Sequence, residues 1–360
     1  MNSRKEARTD SYGKQEATMI AGIAIILMFI HHFFGFEEYR FYGNGFYEPV
    51  KIGGISIERM LAAFGKLCVA IFAFNSGVAI WKKRNNYISP KALLVRASKF
   101  LLNYWIVMFL FMAYAIIAKE PVPDMRSLYC NLLGLNTGPE YEYVNVAFAW
   151  YVFFYIVLLA ISPLLITIFN QTNRKVDILM FMAFSFIPEL ISNPLWNTIA
   201  STLPAAIAGI LTAKWNLFSL AGNILRNCHS LLLCISLAIV AITRQTLILF
   251  NLTWGGNDAV FALLTILLLA GLTSRQKVSW IKKFLVFLGS YSMNLWFLHS
   301  IFFTGSRPLQ SILYWPQLSV AILAWGLMFL LPAAILCSNV QHHLWTILKV
   351  AAKQHNAHRQ

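Results

Sequence analysis

Two adjacent histidines, His31 and His32, stand near the end of the first long apolar run, Ala17 to Phe36, which carries no charge between Glu16 and Glu37. The run is long enough to cross a bilayer as a helix. An ionisable group inside such a segment is costly to place and is a functional-site candidate by default; a position in the headgroup region, bonded to water, is the alternative. Imidazole has the side-chain pKa nearest neutrality, so the chemistry on offer is general acid/base work. A third histidine, His299, ends the run F-L-G-S-Y-S-M-N-L-W-F-L-H. His32 and His299 each lie about 15 residues into their runs, about 22 Å by helical rise. Entry from the same side would put them at one depth, in a shared polar cavity.

The second chemical feature is a basic cluster, W-K-K-R-N-N-Y-I-S-P-K-A-L-L-V-R-A-S-K-F. Lys82, Lys83 and Arg84 follow the second apolar run; Lys91, Arg96 and Lys99 precede the third. Arg96 and Lys99 are three apart and share a helix face. A positive-inside loop that attracts anionic lipid has this appearance. A site for a phosphorylated cytoplasmic donor has it too. A cytoplasmic anion site below a histidine cavity suits transfer of a group from an inside donor to an outside acceptor. Ser76, polar in an apolar run, either lines that cavity or bonds to its own preceding turn.

These residues need a frame. The chain is 58% hydrophobic and 12% charged, against about 45–50% and 25% in soluble domains. Apolar runs recur from end to end, which predicts an all-α, polytopic transmembrane bundle. Ten spans are expected, at about 17–36, 61–81, 100–118, 146–169, 177–193, 197–213, 229–250, 258–273, 284–304 and 317–346. The domain plan is a cytoplasmic tail over 1–16, a membrane domain over 17–346 and a second tail over 347–360. The first run is too long for a signal peptide and has no cleavage pattern after it, so it is kept as a span. Pro188, Pro194 and Pro204 break the middle runs, which membranes tolerate where neighbours re-satisfy the backbone or a cavity is lined.

The net charge of +15 is not a nucleic-acid signature, because no soluble basic stretch is interleaved with aromatics. With the N-terminus inside, inner segments hold 21 Lys and Arg and outer segments 6, which places both termini in the cytoplasm. The outer loop 119–145 carries Glu120, Asp124, Glu140 and Glu142 among Pro, Gly and aromatics; it reads either as an ordered surface near a polar ligand or as a plain connector. The five cysteines show no metal or redox spacing, and no metal site is expected.

Several short patterns, in order, resemble acyltransferase family three, the polytopic membrane enzymes that O-acetylate bacterial surface glycans. G-I-A-I-I-L-M-F-I-H-H-F-F (22–34) resembles the family's first helix, which ends in the functional histidine. F-A-F-N-S-G (72–77) resembles its Phe-rich Ser-Gly segment, and R-A-S-K-F-L-L-N-Y-W (96–105) the basic start of its third helix. A-W-Y-V-F-F-Y…S-P-L-L (149–165) resembles its Trp-containing fourth helix, and L-G-S-Y-S-M-N-L-W-F-L-H (288–299) its late Leu-Gly-x-x-Ser…His signature. There is one departure. The family's first helix usually carries an Arg or Lys eleven positions before the functional histidine; counted back from His32 that position is Ala21, and from His31 it is Ile20. Lys66 and Arg244 are candidates to supply the cation from another helix.

The resemblance implies an O-acetyltransferase of the bacterial cytoplasmic membrane. Acetyl-CoA would be its donor, with no bound cofactor, and a surface glycan or lipid-linked sugar its acceptor, with lipids around it and no nucleic acid partner. His32 would be the base or acyl relay, with His31 and His299 orienting it or binding the acceptor. Arg96, Lys99 and Lys91 would hold CoA phosphates, and Ser76, Trp150 and Ser292 would line the substrate cavity. A multi-span transporter or flippase for a sugar or lipid-linked glycan is the reading from another class, since mid-chain prolines and intramembrane charge suit it too.

Overall fold

The computed structural model describes residues 12–36, 45–120, 124–135, 150–225, 227–274, 280–303 and 307–357. In lipid each backbone polar group must be satisfied within the protein, and these apolar stretches do so chiefly as helices. In chain order, α1 (Lys14–Phe34) is followed by a small hairpin, β1 (Lys51–Ile52) and β2 (Ile55–Ser56), turning at Gly53 and Gly54, both at positive φ. Next come α2 (Ile57–Gly65), α3 (Leu67–Lys82), α4 (Arg84–Ile88), α5 (Pro90–Ala118) and α6 (Met125–Leu132). The middle of the chain forms α7 (Trp150–Gln171), α8 (Arg174–Phe186), a 3-10 turn over Ile187–Leu190, α9 (Pro194–Lys214) and α10 (Leu217–Leu225). The last part forms α11 (Ser230–Leu249), α12 (Asn257–Ser274), α13 (Trp280–Ser290), α14 (Ser292–Leu298), a 3-10 turn over His299–Phe303, α15 (Arg307–Tyr314) and α16 (Ser319–Ala357).

Among the described residues seven helices, with α2–α3 taken as one, are long and apolar enough to cross a membrane, and the broken pair α13–α14 makes an eighth if it is one span. The expected eighth span, α12, is shorter than that standard. The expected fifth span stops even earlier. α8 has 13 residues and gives way to the 3-10 turn at Pro188, because proline has no N–H and its ring clashes with the preceding helical turn. The ends also shift. α1 begins at Lys14, inside the expected tail, and α16 runs on to Ala357, through most of the segment read as a second tail.

The chain divides into two compact units. The first holds Met1–Phe36, Glu48–Ser89 and Ala160–Ser292. Lipid tails are as apolar as leucine, so helices there associate by close packing rather than by a hydrophobic drive. The sequence provides for this with glycine. A Cβ built on Gly77 would fall 1.8 Å from the Ala206 carbonyl oxygen, and one on Gly209 would fall 2.1 Å from that of Phe74. α3 and α9 therefore meet backbone to backbone. Gly22 and Gly289 do the same for α1 and α13. A fully buried carboxylate, Asp177, ties the adjoining ends of α7, α8 and α9. It accepts from Lys214 Nζ at 2.6 Å, from Trp215 Nε1 at 3.0 Å and from the Thr172 hydroxyl. Ahead of α1, Tyr12 stacks on Phe218 at 4.1 Å and donates to Asn75 Oδ1 at 2.6 Å. Burial, with the Glu16 charge adding to it, raises the pKa of the Tyr12 phenol, which stays a neutral donor.

The second unit holds Glu37–Tyr47, Pro90–Leu159 and Met293–Gln360. A buried amide bridge joins three of its helices. Asn103 of α5 donates to Asn294 of α14 at 2.5 Å, and Asn294 donates to the Ala334 carbonyl of α16 at 3.2 Å. Tyr104 and Trp105 of α5 donate to the Asn131 and Leu132 carbonyls at 2.7 and 2.9 Å, which docks α6.

Gly77→Leu is expected to destabilise the protein by about 3 kcal/mol, the upper end for overpacking. Gly45→Ala, with open space around its added methyl, should change nothing. Thermal unfolding of the two purified variants in detergent checks the pair.

Candidate active site

The site in the first unit starts from the way α1 and α2 approach each other. A Cβ on Gly65 would lie 2.5 Å from the Leu27 carbonyl oxygen and 3.2 Å from His31 Cβ, so only glycine lets the last turn of α2 reach the histidine. The helix is then interrupted at Lys66, whose N–H turns to the Phe64 carbonyl. The carbonyls of that last turn find partners on other helices. His31 Nδ1 bonds to the Ala62 oxygen at 2.8 Å. A carbonyl only accepts, so the proton sits on Nδ1, and in the neutral ring Nε2 carries the bare lone pair.

The neighbouring carbonyl, Ala63, accepts from Arg244 Nη1 at 2.6 Å. Arg244 comes from the C-terminal half of α11 and is 1% exposed. Its Nε and Nη2 both donate to Asp258 Oδ1, at 3.1 and 2.8 Å. Asp258 lies in the first turn of α12, where the helix dipole favours an anion. Lys66 Nζ stands 4.0 Å from Asp258 Oδ2, with its side chain 62% exposed. The His31 ring lies within electrostatic range of Lys66, Arg244 and Asp258. The His32 ring is buried, 4.8 Å from that of His31, and stacks on Phe36 at 5.5 Å.

The other expected site residues lie as follows. Ser76, half-buried in the first unit, gives its hydroxyl hydrogen to the Phe72 carbonyl at 3.0 Å, one turn back in its own helix. Ser292 opens α14 after the break at Tyr291. In the second unit, Trp150 opens α7 with its ring edge-on to Tyr151 at 5.9 Å. His299 is fully buried; its Nδ1–H donates to the Trp296 carbonyl and its ring meets Trp296 and Phe303 edge-on. His32 and His299 thus belong to different units and each is held by neighbours of its own. Lys91, Arg96 and Lys99 occupy the first turns of α5, the lysines exposed and Arg96 half-buried. The Lys99 carbonyl accepts from Gln341 Nε2 at 3.4 Å. Of the acidic loop, Glu140 and Glu142 lie outside the described residues. Asp124 caps α6: the Ser127 side chain, together with the Ser127 N–H 2.7 Å away, holds its carboxylate below the usual carboxylate range.

Sequence reasoning offered Arg244 only as a stand-in for a missing cation, and it passed over Asp258. Ala21, where the cation was expected, is buried about 15 Å from His31 along α1 by helical rise. Arg244 instead stands at the level of His31 itself. The one signal that could have paired it with Asp258 was an uncompensated arginine inside an apolar run, which demands a carboxylate nearby.

An imidazole fixed by a backbone carbonyl, a second buried imidazole beside it and a buried arginine–aspartate pair make a site fit for proton transfer. The family model for the acyltransferase domain of acyltransferase family 3 matches residues 20–339. The chain belongs to this family. Neither the curated proteins nor the solved structures give a match. As an acyltransferase-family member with several membrane-spanning helices, the protein is a multi-pass membrane protein. The family match runs through both units, from α1 into α16.

The amide bridge of the second unit yields a stability test. Asn294→Leu strands the Asn103 amide in an apolar interior and should destabilise by about 1–3 kcal/mol, whereas the double change Asn103→Leu with Asn294→Leu should recover most of the loss. Unfolding midpoints of the single and double variants measure this.

Proposed function

We propose that the protein is a membrane O-acyltransferase that moves an acetyl group from cytoplasmic acetyl-CoA to a hydroxyl of a surface or exported glycan. The observation that carries this is the paired imidazoles His31 and His32 at the end of α1, set against a charged cluster inside a chain of an acyltransferase family. His32, buried at the end of α1, is the base. It takes the proton from the acceptor hydroxyl as that oxygen attacks the thioester carbonyl. The tetrahedral intermediate then collapses, the carbon–sulfur bond breaks, and the proton passes to the departing CoA sulfur. The bare Nε2 of His31 accepts a hydrogen bond from the acceptor. Ser292 and Ser76 of the first unit are assigned to the acceptor as well. The donor's phosphates are assigned to Arg96, Lys99 and Lys91, for which the guanidinium fork and the ammonium groups are suited.

The orientation that fits this chemistry has both termini in the cytoplasm and the protein in the bacterial inner membrane, with α8 and α12 as the two shorter of ten crossings. The basic-residue split of 21 inside to 6 outside supports it. No observation favours the transporter reading over acyl transfer.

Mass spectra of surface glycan from cells with and without the chain test the class: the expected difference is one acetyl group per repeat, with glycan export unchanged. His32→Ala should lower acetylation by about a hundredfold or more, as loss of a general base does, while the protein still inserts; His31→Ala and His299→Ala should be milder. Retained acetylation in both His31→Ala and His32→Ala would remove the acyl-transfer reading. Reporters fused after Gly138 and after Gln360 should report opposite sides of the membrane, and signals from the same side would break the orientation.

A further inference from the structure

The Arg244–Asp258 pair does more than join two helices. A guanidinium buried in a membrane-spanning helix is expensive unless paired and fully bonded. Two of Arg244's bonds go to Asp258 Oδ1 and link α11 to α12. The third, at 2.6 Å, leaves the pair and goes to the Ala63 carbonyl on α2. Ala63 follows Ala62, whose carbonyl holds His31 Nδ1 at 2.8 Å. Two consecutive carbonyls of one helical turn therefore hold the arginine and the histidine. That turn is the last before the interruption at Lys66, whose N–H is turned away to Phe64. The carbonyls of that turn are not taken up by their own helix, and what bonds to them from outside fixes its orientation.

We infer that Arg244 and Asp258 form a positioning pair that orients the last turn of α2, so that the Ala62 carbonyl fixes His31 as its Nδ1–H tautomer. The tautomer decides what the ring can do. With the proton on Nδ1, Nε2 accepts; with the proton on Nε2, the same nitrogen can only donate. The pieces divide the work. Asp258, in the first turn of α12, fixes the arginine through one oxygen, and its other oxygen faces Lys66. Arg244 transmits that position to α2, and α2 hands it to the ring. A well-packed apolar pair could join α11 to α12 as well as the ion pair does, but it has no donor for the Ala63 carbonyl. The geometry stands by itself; its catalytic consequence rests on the acyl-transfer reading.

The full-length protein, labelled with 15N-histidine and reconstituted in lipid nanodiscs, provides the test. Long-range proton–nitrogen spectra distinguish the two tautomers, and the signal absent in His31→Ala identifies the ring. The wild type should show the Nδ1–H pattern. Arg244→Met with Asp258→Leu, which replaces the pair by apolar groups, should shift this ring toward a mixture of tautomers while the thermal midpoint shows a folded protein. Arg244→Lys keeps the charge but not the three-way fork, and should give the same shift if the apolar variant does not fold. In acetyl transfer, the apolar variant should lose about tenfold, as loss of an outer partner of a working histidine does. Adding His31→Ala to it should cause no further loss, because both changes act through one group. An unchanged His31 tautomer in a folded variant, or losses that multiply, would overturn the positioning role. A tautomer shift in a protein with no acetyl transfer would sustain the positioning role and count against the proposed function instead.

Discussion

A polar side chain inside a bilayer has no water to turn to, and its partner has to come from the protein. That constraint organises this molecule. Asp177 is fully buried and is met by lysine, indole and hydroxyl donors from adjoining helix ends. Asn103 and Asn294 meet each other across two helices of the second unit. Arg244 closes on a carboxylate and a carbonyl. Each of these groups would be a liability alone. In company, each fixes the position of a helix that apolar contacts would leave free to slide or rotate.

The same constraint explains why the site lies where a helix is interrupted. A continuous helix uses its own carbonyls and has none to offer. At Lys66 the interruption frees the carbonyls of the preceding turn, and the end of a helix is the natural place for a cation or a ring N–H. Ala62 and Ala63, with no functional group in either side chain, thereby become the anchors of a histidine and an arginine. Gly65 makes the arrangement possible, because any side chain there would push α2 off α1. With α13 packed on Gly22 near its start and α2 packed near its end, α1 is held along its length. The two imidazoles are displayed from a braced element, as a site that must hold its geometry requires.

Much of this was legible in the chain. Composition and apolar runs gave the helical membrane class, and the motif order gave the family that residues 20–339 match. The histidine pair was visible as two titratable groups in an apolar run. Span counting was less legible, because hydropathy measures apolarity and not helix continuity. Around Pro188 the run is still mostly apolar, with Phe186, Ile187, Leu190 and Ile191 about Glu189, but the backbone cannot go on as an α-helix. At the other end, α16 outruns its apolar stretch because its last residues, though polar, are sound helix formers.

The sequence by itself determined the class of the fold, the distribution of charge along it and the presence of two imidazoles at the end of the first span. These follow from local composition, which each residue carries into any structure. Only the tertiary structure decided which imidazole is bonded through Nδ1, which carboxylate neutralises Arg244 and which carbonyls are free to accept. Asp258 lies fourteen positions after Arg244, and Ala63 lies 181 before it. Such partnerships depend on which helices touch and at what rotation. Close glycine contacts and the interruption at Lys66 set that rotation, and no local pattern of residues records it.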